Sequence, residues 1–212
     1  MVERTVIDTF HSNQQMTTPT AELLYDMLAK EPNNDLHYYY MACVHAKHPN
    51  SALFWHKLCF HINPENVENL LDYMKLYNDT NEMDEITKLN EQNGGILNQV
   101  AEKDNRVKLL LATYETKRKN NDDAIRLFLE IIDDPRSDKI TLSHCYSNLG
   151  FAYVAVGECD KAIEAYEKSD PTNRVALDNL LMAYDYRYGA GDEKSITKYI
   201  TYNTTVKTQI VY

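Results

Sequence analysis

The sequence predicts an all-α chain organised as a solenoid of five to six helix-turn-helix repeats, and three observations predict it. The first is a shortage of chain breakers: only 6 Gly and 6 Pro occur in 212 residues, about half the usual share of the two. The second is that apolar and small residues recur three and four positions apart, the spacing of one helix face. The third is a recurrence along the chain. One mostly small position returns as Ala21, Ala52, Ile86, Ala124, Ala162 and Ser195, and a period of about 20 to 50 residues marks a repeat architecture.

The clearest unit runs from Tyr146 to Asn173. Tyr146, Leu149, Gly150 and Tyr153 share one face of its first helix, and Ala162, Ile163, Tyr166 and Ser169 share a face of its second, with Gly157-Glu158 at the turn. Gly150 and Ala162 carry little or no side chain, which predicts a close approach of the two helices with Tyr153 and Tyr166 filling the volume on either side. Asp160 is the expected cap of the second helix and Asp170-Pro171 its end. With Leu149, Gly150, Ala152, Tyr153, Gly157, Ala162, Ile163, Tyr166 and Pro171 in these places, the unit resembles the tetratricopeptide repeat, a helix-turn-helix of about 34 residues. The resemblance implies a right-handed superhelix of stacked hairpins.

On this register the approximate repeats are 1–32, 33–66, 67–95, 96–135, 140–173 and 174–203, in one domain spanning 1–212 with a C-terminal extension at 204–212. A breaker follows each second helix: Pro32, Pro64, Asn93-Gly94-Gly95, Pro135, Pro171 and Asn203. Four residues after the small position stand Tyr25, His56, Asn90, Phe128, Tyr166 and Tyr199, mostly aromatic. Tyr25, Tyr153 and Tyr166 are expected in the core, whereas the consecutive Tyr38, Tyr39 and Tyr40 must point in different directions. The ten residues ILNQVAEKDN before repeat four keep helical spacing and predict an extended first helix. Near the N-terminus, VIDTFHSNQQMTTPT predicts a short helix and a loop, with Thr18 capping the next helix and Pro19 at its first position. The β-branched C-terminal stretch either finishes the last helix or forms a capping or partner-binding extension.

Charge and motif content narrow the function. Thirty-two acidic against 22 basic side chains leave a net charge of -10 and no basic block, so nucleic-acid binding has no electrostatic source. No apolar run approaches the ~20 residues of a membrane span, and the N-terminus has no signal-peptide pattern, so a cytoplasmic location is expected. Cys43, Cys59, Cys145 and Cys159 are too far apart for a paired-cysteine motif and too few for a disulfide framework. No phosphate loop, nucleophile elbow, zinc helix or calcium loop is present, and neither catalysis nor a cofactor is expected. Five of the seven histidines fall in repeat two, where His37, Met41 and His45 step by four along one face. Imidazoles at that spacing can bind zinc or copper. His56, however, stands at a core aromatic position and His48-Pro49 in the turn, which leaves too few for a ligand set, and no metal site is predicted.

The resemblance further implies that first helices line a concave groove. By register its residues are His37, Met41, Val44 and His45 in repeat two, and Leu71, Lys75, Asn78 and Asp79 in repeat three. Arg106, Leu109, Thr113 and Lys117 follow, then His144, Ser147, Phe151 and Val154, and finally Asp178, Met182, Asp185 and Tyr186. The Lys-Asn pair with which some family members hold a chaperone's C-terminal carboxylate is replaced by His37 and Met41, so chaperone docking is not expected. The mixture of apolar residues and isolated charges suits a protein or peptide partner, such as an amphipathic segment with basic residues. The expected function is a non-catalytic adaptor or scaffold. The alternative is a regulatory or substrate-presenting part of a larger enzyme assembly, and an uncapped end of the solenoid would also permit self-association.

Overall fold

The computed structural model describes residues 18–80, 83–170 and 172–189, together with positions 193, 197, 200 and 201. The expectations for 1–17 and for most of 190–212 lie outside the described residues. Eleven helices and no strand occur among the described residues. The chain divides into two compact units, 1–100 and 101–212.

In the first unit, α1 (Thr18–Lys30), with Pro19 in its opening turn, packs on α2 (Asp35–Val44); α2 pairs with α3 (Pro49–Ile62), and α3 meets α4 (Val67–Thr80), which pairs with α5 (Met83–Gln92). Leu24 and Met41 are fully buried among Leu23, Met27, Leu28, Tyr40, Val44 and Trp55. Tyr25 departs from expectation and is 51% exposed. Leu24 takes the inward position, and one residue further on a helix turns about 100° away. The Tyr25 ring meets Trp55 edge-on at 6.2 Å. His56 is in the core, as its register predicts, stacked on Tyr73 at 5.9 Å.

The helix α6 (Ile96–Lys103) spans the division between the units. Ile96, Leu97, Val100 and Ala101 are buried on one side of it, but it does not extend the next helix as expected. Asp104 adopts extended backbone (φ −134°, ψ 115°), and its carboxylate accepts from the Arg106 N–H, so α7 (Asn105–Lys117) starts afresh. Asn90, at a position where most repeats carry an aromatic ring, accepts instead from the Leu97 N–H at 3.0 Å.

The second unit alternates regularly. α7 pairs with α8 (Asn121–Asp133), α9 (Lys139–Ala155) with α10 (Cys159–Lys168), and α11 (Arg174–Tyr188) packs on α10; successive first helices also touch, α7 on α9 and α9 on α11. Ala112, Ala124, Phe128, Ile131, Cys145, Leu149, Ala152 and Ala165 form one buried cluster, and Ala162, Ile163, Tyr166, Ala176, Leu180, Ala183 and Tyr184 a second. Gly150 lies under the Tyr166 ring, so the close approach expected at this seam is made to the aromatic face. The turn between α9 and α10 has Gly157 at φ +81°, and the turn between α7 and α8 places Lys119 at φ +66° in the same role. Asp160 does not cap α10. Glu158 is the capping residue and makes no side-chain cap, while Asp160 binds Arg187 at 2.8 Å.

A regularity overlooked in the sequence ties the linkers. The first helices α2, α4, α7, α9 and α11 each begin after an Asn or Asp whose side chain accepts a backbone N–H of the first turn: Asn34, Asn66, Asp104, Asp138 and Asn173. The second helices α3, α8 and α10 have no such bond. The linkers also bond to one another within each unit. Asp35 accepts from Asn63 and Asn66, and Arg136 donates to the carbonyls of Lys103 and Glu102.

Candidate functional site

The side chains assigned to a groove divide into buried and exposed sets. In the first unit Met41 (0% exposed), His37 (2%) and Leu71 (7%) are closed off. For Met41 and His37 this corrects the reading as ligand contacts: α2 is held between α1 and α3, Met41 packs with Leu24 of α1, and His37 is buried rather than exposed to solvent. His37 Nε2 lies 3.9 Å from Glu31. Val44 and His45 are half-buried, with His45 stacked on Trp55. Lys75 is exposed beside Asp72 at 3.7 Å. The side chains of Asn78 and Asp79 lie outside the described residues.

The first unit has a cleft that the register did not indicate. A cavity of about 300 Å³ opens between α2, α3 and α4, lined by Ala42, Cys43, Ala46, Ala52, His56, Asp72, Lys75 and Leu76. Tyr39 donates its hydroxyl to Asp72 Oδ2 at 3.1 Å. Asn69, fully buried, donates its amide to the His56 carbonyl, which orients its own oxygen to accept from His56 Nδ1 at 2.8 Å. Burial lowers the His56 pKa despite the opposing pull of Asn69 and Asp72, which favours the neutral ring. Burial also pushes the Cys43 thiol up to about 12, with the Tyr39 hydrogen bond opposing and the Asp72 charge adding to it. The cleft therefore lacks the thiolate that a nucleophilic cysteine requires. A sequence signal was available: Tyr39 and Cys43 on α2, and Asp72 and Leu76 on α4, are each four residues apart and share a face.

In the second unit the first helices do present a surface. Thr113, Phe151 and Met182 stand at one register on α7, α9 and α11, and Asn148 donates to Thr113 Oγ1 at 3.2 Å, joining α9 to α7 there. Phe151 (53%), Met182 (69%) and Tyr186 (81%) are strongly exposed, as is Val154. Leu109 and Thr113 are half-buried, and Lys117, His144, Asp178 and Asp185 are exposed. Arg106 is exposed, but its guanidinium is held by Asp104 at 2.8 Å. Ser147 is buried (8% exposed), which corrects its reading as a surface contact.

Among the described residues, no three His, Cys, Asp or Glu side chains come together as metal ligands, and no helix is long and apolar enough to cross a membrane.

No protein-family model matches the sequence, and no curated protein matches it. Solved structures are similar in fold. MamA is 22% identical, with 82% of this chain and 92% of MamA covered at a TM-score of 0.61. PilW, described as a widely conserved type IV pilus biogenesis factor, is 14% identical over 100% of this chain and 93% of PilW, at 0.66. YrrB, described as a TPR protein with an unusual peptide-binding site, is 12% identical over 84% of this chain and 91% of YrrB, at 0.60. Paired helices, touching first helices, the Gly150–Tyr166 seam and these likenesses together establish that the chain has the fold of the tetratricopeptide-repeat solenoid.

Proposed function

We propose that the chain is a non-catalytic adaptor or scaffold that binds a segment of a partner protein, an amphipathic helix or peptide with basic residues, on the first-helix face of its repeats. The observation that carries this reading is the row of exposed apolar side chains on adjacent first helices, Phe151 and Val154 on α9 with Met182 and Tyr186 on α11. Exposed apolar surface on helices that touch is a mark of an interaction site, and large flexible or aromatic side chains make good anchors. The exposed Asp178 and Asp185 on α11 and the net charge of -10 favour a basic partner. YrrB, similar in fold, is described as binding peptide. A cytoplasmic setting fits four cysteines that form no disulfide. The test is affinity capture from the native cell with the intact chain, repeated with Phe151→Glu and Met182→Glu. Partners specific to the unaltered chain are expected to be lost from both variants, and partners retained by both would refute the face.

A further inference from the structure

We infer that the cleft between α2, α3 and α4 is a receptor for a cationic side chain of the partner, a lysine ammonium or arginine guanidinium entering on its aliphatic stem. This rests on the reading of the chain as a peptide-binding adaptor, but not on the Phe151–Met182 face. The cavity of about 300 Å³ stands at the lower end of the range for ligand sites, enough for one long side chain rather than a folded element. Ala42, Ala46, Ala52 and Leu76 give it apolar walls, the surface along which the methylenes of Lys or Arg pack while the charged head finds polar atoms.

The polar atoms in the cleft call for a donor. His56 is 5% exposed and its Nδ1 hydrogen is spent on Asn69. Burial favours the neutral ring, and with Nδ1 donating, its Nε2 then carries a lone pair. No protein group is bonded to Nε2, and the His56 side chain forms part of the cavity wall. An acceptor at a cavity wall is satisfied by a ligand or by water. The second acceptor is Asp72, one oxygen of which accepts from Tyr39 while the other faces Lys75 at 3.7 Å. Its charge is near enough to act on the His56 ring. Lysine and arginine offer donors only, and so satisfy both positions, whereas an anion would meet a carboxylate. Lys75, exposed and in a weak surface pair, is an internal competitor for that carboxylate.

The test uses the full-length, isotopically labelled chain, titrated with n-butylammonium and with n-propylguanidinium, and with n-butyrate and n-butanol as controls, followed by NMR. The expected result is saturable movement of the His56 ring nitrogen and Leu76 methyl signals with both cations and with neither control. Asp72→Asn, which preserves an acceptor for Tyr39, is expected to weaken binding at least about tenfold, the loss of a charge-assisted bond. Ala46→Phe, at the exposed lip, fills the cleft and abolishes binding with the carboxylate in place; Lys75→Met strengthens it. Absence of saturable movement, equal movement with butyrate, or undiminished binding in both Asp72→Asn and Ala46→Phe would overturn the proposal. Phe151→Glu leaves cation binding unchanged, so failure of the α9–α11 face and failure of the cleft give different results.

Discussion

The ring of Tyr166 covers Gly150 so closely that a β-carbon added to the glycine would stand 2.6 Å from the Tyr166 Cε1 atom. Three ring atoms lie within 2.8 Å of that point, and Tyr166 is 1% exposed, with little room to move. Gly150→Ala improves intrinsic helix propensity by about 1 kcal/mol, but overpacking costs about 1–3 kcal/mol and is the larger effect here. The melting temperature is expected to fall by several degrees, measured by circular dichroism. Adding Tyr166→Leu removes the obstruction, so the double variant should lose less than the sum of the two single changes.

Lys119 occupies the left-handed conformation that Gly157 supplies in the next repeat. A side chain there costs about 1 kcal/mol. Lys119→Gly is therefore expected to raise the urea midpoint and Gly157→Ala to lower it.

The capped linkers give two linked expectations. Asn34→Ala and Asn173→Ala should each cost about 1 kcal/mol, whereas Asn120→Ala, at a helix start without a side-chain cap, should change stability by less than about 0.5 kcal/mol. Asp138 adds a pH dependence. Hydrogen bonds from the Thr141 backbone, then from its side chain, hold the Asp138 carboxyl below its ordinary range. A depressed folded-state pKa stabilises above the unfolded value, near 3.9, and that stabilisation disappears as pH falls through the folded value. Asp138→Asn keeps an equally good cap and should shallow the loss of stability below about pH 4, read from urea midpoints between pH 7 and 3.

Substitutions at Met41 and Phe151 should separate core from surface. Met41→Ala removes a fully buried side chain and is expected to cost about 2–5 kcal/mol. Phe151→Glu, on an exposed face, should remain within about 0.5 kcal/mol of the unaltered chain. Thermal unfolding of the two variants tests the assignment independently of any partner.

Thiol reactivity offers a further check. Burial pushes Cys43, Cys59 and Cys145 up to about 12, which leaves almost no thiolate at neutral pH. In the folded chain only Cys159 is expected to react promptly with an aromatic disulfide reagent, and all 4 cysteines should react in denaturant. Prompt reaction of Cys59 or Cys145 would contradict their burial.

What the sequence disclosed followed from demands that every repeat makes. Ala124, Ala162 and Gly150 are small because a helix or ring presses on them, and Phe128 and Tyr166 are large because they fill the space beside that contact; such constraints recur and show as a period. The places where the reading failed depend on single neighbours. Met41 and Tyr25 exchanged expected roles because the packing of α1 on α2 decides which side of each helix is closed. Asp160 was diverted from capping by Arg187, 27 residues along the chain. The cleft is assembled at a junction of three helices; the four-residue spacings Tyr39–Cys43 and Asp72–Leu76 mark two of its faces, but not that those faces meet. By contrast, the Asn and Asp caps recur every 32 to 38 residues and were legible in principle.

Because caps and linker bonds gather where first helices begin, the two ends of each hairpin differ in their tolerance of added material. A fluorophore attachment site or short epitope grafted into the turns at 118–120 or 156–158 would interrupt only exposed residues and no side-chain cap. The same graft at 134–138 would sever the bonds from Arg136 and Ser137 and displace the Asp138 cap. Reporters for partner binding therefore belong in the intra-hairpin turns, where they can be placed without loosening the stack.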